Sequence, residues 1–133
     1  AKRQHDEETA IAVGTERLEL LMTLKDEGGQ MEALADLAHC QATIGEFSVA
    51  QDLFEQSLER AKALGSLSGQ LVARWGLADL AEIREDYQTA MLVLSDALHE
   101  FIAVDASAPA QLKQRISDLT NLKDQPKPKD GEA

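Results

Sequence analysis

The sequence has 133 residues and a formal net charge of −11, with 44% apolar residues and only 4% aromatic residues. This length fits one domain with its own core, and a core poor in aromatic residues but rich in leucine and alanine favours helices over strands. The negative charge repels phosphate groups, so nucleic acid and anionic membrane surfaces are not expected partners.

The sequence also bears on location. No apolar run approaches the roughly 20 residues that a membrane-spanning helix needs, and the N-terminus lacks the apolar stretch of a secretory signal. The single cysteine, Cys40, cannot form an intrachain disulfide. These features predict a soluble protein of a reducing compartment, the cytoplasm. The chain has no initiator methionine, which suggests a processed chain or a fragment of a larger protein.

The first predicted helix follows a charged start. Residues 1–8 carry no apolar periodicity and are predicted to be frayed, whereas apolar residues then recur every three to five positions over 9–25. The predicted stripe consists of Ala10, Val13, Leu18, Leu21 and Leu24. Gly14 lies within this helix, where it either allows close approach of a neighbour or marks a weak point. Residues 26–29 are predicted to end this helix and to separate it from the next one.

Four further helices are predicted between residues 29 and 104. Gly45 suits the left-handed residue that commonly ends a helix, and Gly65 closes the following one. Ser66 or Ser68 can cap the next helix by accepting a backbone N–H bond.

A final helix and a tail complete the chain. Ser107 is a candidate N-cap and Pro109 suits the first turn, which predicts a capping helix over 109–122. Its stripe consists of Leu112, Ile116, Leu119 and Leu122. Residues 123–133 alternate proline with charge and are predicted to be disordered.

The sequence contains an internal repeat. A shift of forty residues aligns 29–64 with 69–104, and the matching residues fall on the apolar stripe. Identical pairs include Leu37 with Leu77, Ala38 with Ala78, Ala50 with Ala90, and Leu58 with Leu98. Small residues where helices cross and large ones between hairpins predict a repeated helix hairpin that stacks on its copies.

The order of these residues resembles an extended form of the tetratricopeptide repeat. The repeat-defining positions are Leu34, Leu37, Ala38, Gly45, Phe47, Ala50, Phe54 and Ser57 in one unit, and Arg74, Leu77, Ala78, Glu85, Tyr87, Ala90, Leu94 and Ala97 in the other. The proline that usually ends the second helix is absent, and Lys62 and Ile102 stand in its place. The resemblance implies an all-α fold of about six helices, in which antiparallel hairpins stack as a short right-handed superhelix over 9–122.

The resemblance also implies a concave face lined by the first helices of the hairpins. It places Glu32, Ala35, His39, Ala42 and Thr43 there from one unit, and Val72, Trp75, Asp79, Glu82 and Ile83 from the next. Trp75 is either a core residue or an exposed anchor for a partner. Because the face is acidic and apolar, we expect a protein or peptide partner of basic or aromatic character.

No constellation of residues predicts catalysis. Adjacent helical residues point about 100° apart, so His39 and Cys40 are not expected to share a proton. The acidic cluster around His5 lacks the fixed geometry of a metal site, and no phosphate-binding loop is present. The expected function is a non-catalytic binding scaffold without metal or cofactor. The alternatives are a homo-oligomerisation element of a larger regulatory protein, and a fragment of an enzyme.

Overall fold

The computed structural model describes residues 2–125, which form six helices and no strand. The helices are α1 (Lys2–Thr23), α2 (Glu27–Thr43), α3 (Phe47–Leu64), α4 (Leu67–Ile83), α5 (Tyr87–Ala103) and α6 (Ala110–Asp124). Each helix packs on its neighbours in the chain, and α2 also packs on α4. The prediction of an all-α stack of helix hairpins is confirmed.

The turns between the helices recur every twenty residues. One residue in each of the first five turns has a left-handed backbone, and these residues are Lys25, Gly45, Gly65, Glu85 and Asp105. Each turn also closes with the same bond, in which an N–H donates to the carbonyl five residues earlier, as from Asp26 to Leu21. This pair of features is the Schellman ending, which satisfies the last carbonyl groups of a helix. The forty-residue repeat therefore consists of two helix-turn units of equal length.

Helix starts are capped by side chains at three of these turns. Asp26, Ser66 and Asp86 each accept a hydrogen bond from the backbone N–H three residues later. The choice between two serines is thus resolved in favour of Ser66. The expectation for the last helix is wrong, since Pro109 stands at the N-cap of α6 without a side-chain cap and Ser107 does not cap it.

The core consists of two clusters that meet along α4. One joins Ala38, Ala50, Phe54 and Leu80, and the other joins Ala78, Ala81, Ala90, Leu94, Ala97, Phe101, Leu112 and Leu119. The close crossings depend on small residues, because a Cβ at Gly76 of α4 would overlap ring atoms Cε1 and Cζ of Phe54. The apolar slots of the repeat are therefore filled as predicted, except that Phe47 at the start of α3 is 37% exposed.

The first helix differs from its prediction in extent and in rotation. It begins at Lys2, because Lys, Arg, Gln and Glu favour helix even where no apolar stripe is present. Of the predicted stripe, Ala10, Val13 and Leu24 are exposed, whereas Leu18 and Leu21 are half-buried, as is Gly14. Gly14 allows the close approach, since a Cβ there would lie 2.7 Å from Cδ2 of Leu37.

Two other helix boundaries differ from the prediction. Gly28 and Gly29 lie in the first turn of α2 and not in a break, because Asp26 caps the helix ahead of them. At the other end α6 extends to Asp124, and the predicted disorder over 126–133 lies outside the described residues.

Candidate functional site

The predicted concave face lies along α2 and α4, the two first helices, which pack side by side. On α4 the predicted residues are spaced by three or four positions, which places them on one side of the helix. They are Val72, Trp75, Asp79 and Glu82, and all four are exposed or half-buried. Of the α2 residues, Glu32, His39 and Thr43 are exposed. Ala35 is buried, and it lines a cavity on this face together with Val72.

Three cavities are lined by residues of this face. One of about 120 Å³ is bordered by Met31, Glu32 and Val72 among others. The next, of about 260 Å³, is lined by His39, Leu71, Val72 and Trp75. A third, of about 540 Å³, lies between Trp75 and the start of α6. Consecutive cavities share Val72 or Trp75 in their linings, and we call this row of cavities the α2–α4 groove.

Trp75 lies at the centre of the α2–α4 groove. It is half-buried and packs on the core cluster of α4, α5 and α6. The guanidinium carbon of Arg115, on α6, lies 4.5 Å from the centre of its ring. A guanidinium over an indole face is attracted by the negative charge of the π system. Trp75 therefore lies partly in the core, and the Arg115 guanidinium covers its ring, while its role as an anchor for a partner stays a prediction.

Arg115 completes an ion-pair cluster that the sequence did not predict. Its Nη2 lies 2.6 Å from Asp79 Oδ1 and 3.9 Å from Glu82 Oε1. The Arg115 side chain is 14% exposed, while those of the two carboxylates are 47% and 42% exposed. Its Nη1 is buried without a hydrogen-bond partner among the described residues. A basic residue within the apolar stripe of α6, between Leu112 and Leu119, is the sequence signal that could have pointed to it.

A second ion pair lies at the other end of the face. Arg17 of α1 is 3.1 Å from Asp36 and 3.9 Å from Glu32. These side chains are 45–70% exposed, so the pairs contribute little to stability. The acidic character predicted for the face is thus reduced at both ends by arginines from neighbouring helices.

His39 and Cys40 do not form a reactive pair. The His39 ring meets the Phe54 ring edge-on, with centroids 4.9 Å apart. Burial, together with Glu7 and Asp36, raises the pKa of the half-buried Cys40 thiol above its ordinary value of 9.0. The thiolate needed for nucleophilic chemistry is therefore disfavoured at neutral pH.

No family model matches the chain, and comparison with curated proteins found no similar sequence. Within residues 2–125, no three His, Cys, Asp or Glu side chains converge as metal ligands would. None of the helices in this part of the chain has the length and apolar character needed to cross a bilayer. The tetratricopeptide resemblance therefore stays a prediction.

Proposed function

We propose that the chain is a non-catalytic module of tetratricopeptide type that binds a protein or peptide segment in the α2–α4 groove. The observation that carries this proposal is the row of three cavities whose linings share Val72 and Trp75. Val72 is 48% exposed although it is apolar, and Leu71 lies beside it. A partly exposed aromatic residue flanked by aliphatic side chains is typical of the anchors that dominate binding energy.

The charges around the groove restrict the partner. Asp79 and Glu82 are almost half exposed beside the Arg115 guanidinium, and Asp118 borders the cavity between Trp75 and α6. A segment that places an apolar side chain between His39 and Trp75, and a basic side chain near these carboxylates, would match both features. With its net charge of −11, the module is suited to basic protein segments in the cytoplasm and not to nucleic acid or membrane surfaces.

The test is affinity capture from the native cell with two matched variants. Val72→Glu places a charge in the groove, and Ile102→Glu places the same charge on α5, where Ile102 is 63% exposed and lines none of the three cavities. We expect wild type and Ile102→Glu to recover the same partner, and Val72→Glu to lose it while keeping its helical circular dichroism. Equal recovery by all three proteins would refute binding in the groove.

A second candidate function is self-association through α1. Among the described helices α1 packs on α2 alone; Val13 and Leu20 of this helix, and Leu24 just after it, are 59% or more exposed. Ala10 and Arg17 are exposed as well, whereas their repeat equivalents Ala50 and Ser57 are buried. An apolar face without its repeat neighbour favours association with a second copy. Light scattering tests it, since Leu20→Glu would then reduce the mass at high concentration and Ile102→Glu would not.

A further inference from the structure

We infer that Trp75, Asp79 and Glu82 form a binding site for an arginine side chain, which Arg115 fills in the free protein and a partner's arginine fills in the complex. We call these three residues the arginine site. This inference rests on the proposed function, because it names the chemistry by which the α2–α4 groove would recognise its partner.

The arginine site is built on one helix. Trp75, Asp79 and Glu82 are spaced by four and three positions, so they project from the same side of α4. An indole face and two carboxylates match a guanidinium in two ways, since the plane stacks on the ring and the N–H groups donate to the oxygens. The Arg115 guanidinium carbon lies 4.5 Å from the ring centre, and its Nη2 donates a hydrogen bond to Asp79 Oδ1 at 2.6 Å.

Several features make Arg115 an imperfect occupant. Its Nη1 is buried without an acceptor among the described residues, which costs free energy that a better-placed guanidinium would not lose. The second carboxylate lies 3.9 Å away, beyond hydrogen-bond distance. Among the described helices, the backbone of α6 lies close only to α5, and the N-cap Pro109 supplies no side-chain bond.

The surroundings leave room for a competitor. Asp79 and Glu82 are half exposed, and the cavity of about 540 Å³ opens on the α6 side of the Trp75 ring. An arriving arginine can approach from solvent while Arg115 leaves with α6. Since the site is then available only in the fraction of molecules where Arg115 has left, the apparent affinity for a partner is reduced by that fraction.

Trp75 is the only tryptophan in the sequence, so intrinsic fluorescence reports directly on the site. The probe is N-acetyl-arginine amide, and its neutral isostere N-acetyl-citrulline amide is the ligand control. The full-length proteins are wild type, Arg115→Ala and Lys113→Ala. Lys113→Ala removes the same charge from an exposed position of α6 and leaves the site filled.

We expect Arg115→Ala to bind the arginine probe at least about tenfold more tightly than wild type or Lys113→Ala, because the internal competitor is gone. The citrulline probe should not bind, and Asp79→Asn in the Arg115→Ala background should remove the gain. If Arg115→Ala does not fold, Arg115→Gln keeps most of the aliphatic packing and carries the same expectation.

A folded Arg115 variant that binds no more tightly than wild type, or that binds arginine and citrulline alike, would overturn the inference. Such a result would assign Arg115 a purely structural contact between α6 and α4. The binding function itself is judged by the Val72→Glu capture, so the two proposals fail by different measurements.

Discussion

Gly76→Ala tests the close crossing of α3 and α4. Gly76 lies under the ring of Phe54, which is 1% exposed and held edge-on by His39, so the ring has little freedom to move away. Overpacking a core typically costs about 1–3 kcal/mol, and overlap with two ring atoms favours the upper end. Alanine recovers about 1 kcal/mol of helix propensity. We therefore expect a net loss of about 2 kcal/mol in the free energy of unfolding.

Urea denaturation of matched variants measures this loss. At roughly 4 °C per kcal/mol for a chain of this size, the melting temperature should also fall by about 8 °C. Gly28→Ala is the control, because the nearest atom to a Cβ there is Asp26 Oδ1 at 3.8 Å, and we expect no loss of stability.

A double-mutant cycle then isolates the contact. In a Phe54→Leu background the ring is absent, so Gly76→Ala should cost at least about 1 kcal/mol less than in wild type. If Gly76→Ala is as stable as wild type, or if its cost is the same in both backgrounds, then contact with the Phe54 ring does not restrict residue 76 to glycine.

Three further predictions concern turns and titrating groups. Glycine substitutions at the non-glycine left-handed positions should each stabilise the protein by roughly 1 kcal/mol in urea denaturation, and Gly45→Ala should destabilise it. These positions are Lys25, Glu85 and Asp105. Hydrogen bonds from Thr89 hold the pKa of Asp86 below its ordinary 3.8, so its stabilising effect is present above that value and is lost as the pH falls through the lowered pKa. Asp86→Asn should therefore flatten the acid end of the stability profile, and NMR titration of Asp86 should show the lowered pKa. Because the pKa of Cys40 is raised, iodoacetamide should alkylate the folded protein more slowly than the unfolded chain at the same pH. Equal rates would contradict its partial burial.

Much of the helix stack could be predicted because its signals are local. Gly45 and Gly65 end helices at residues that any sequence reading can locate, and the forty-residue repeat assigned the same roles to α2 and α4. The second-helix slots Ala50 and Ala90 are both fully buried. In these cases propensity, periodicity and packing select the same residues.

The rotation of α1 could not be predicted from periodicity alone. Ala10 and Val13 of the predicted stripe are exposed, whereas Leu18 and Leu21 of the same stripe are half-buried, as is Ile11. Periodicity does not show which part of this apolar surface meets α2. The contact of Gly14 with Leu37 decides it, because it places the side of α1 that contains Gly14 towards α2.

The contacts of Arg115 with Trp75 and Asp79 cannot be predicted from sequence for a similar reason. Trp75 and Asp79 were recognised on α4, but the partner Arg115 is 36 residues away from Asp79 in sequence. No local pattern links the two, because the distance between α6 and α4 depends on how α5 packs between them.

The neighbour-to-neighbour packing of the helices also governs how the chain folds and opens. Apart from α2 with α4, and the side chains that join α6 to α4, each described helix packs only on the helix before or after it, so no contact joins α1 to α6. Such a chain needs few long loop closures, and its folding can begin at any hairpin and spread along the row. For the same reason we expect local unfolding to start at α1 and α6, the first and last of the described helices. Loosening of α6 would release Arg115 from Trp75 and Asp79, and it would also expose Leu112 and Leu119, which are buried in the cluster that α6 shares with α4 and α5.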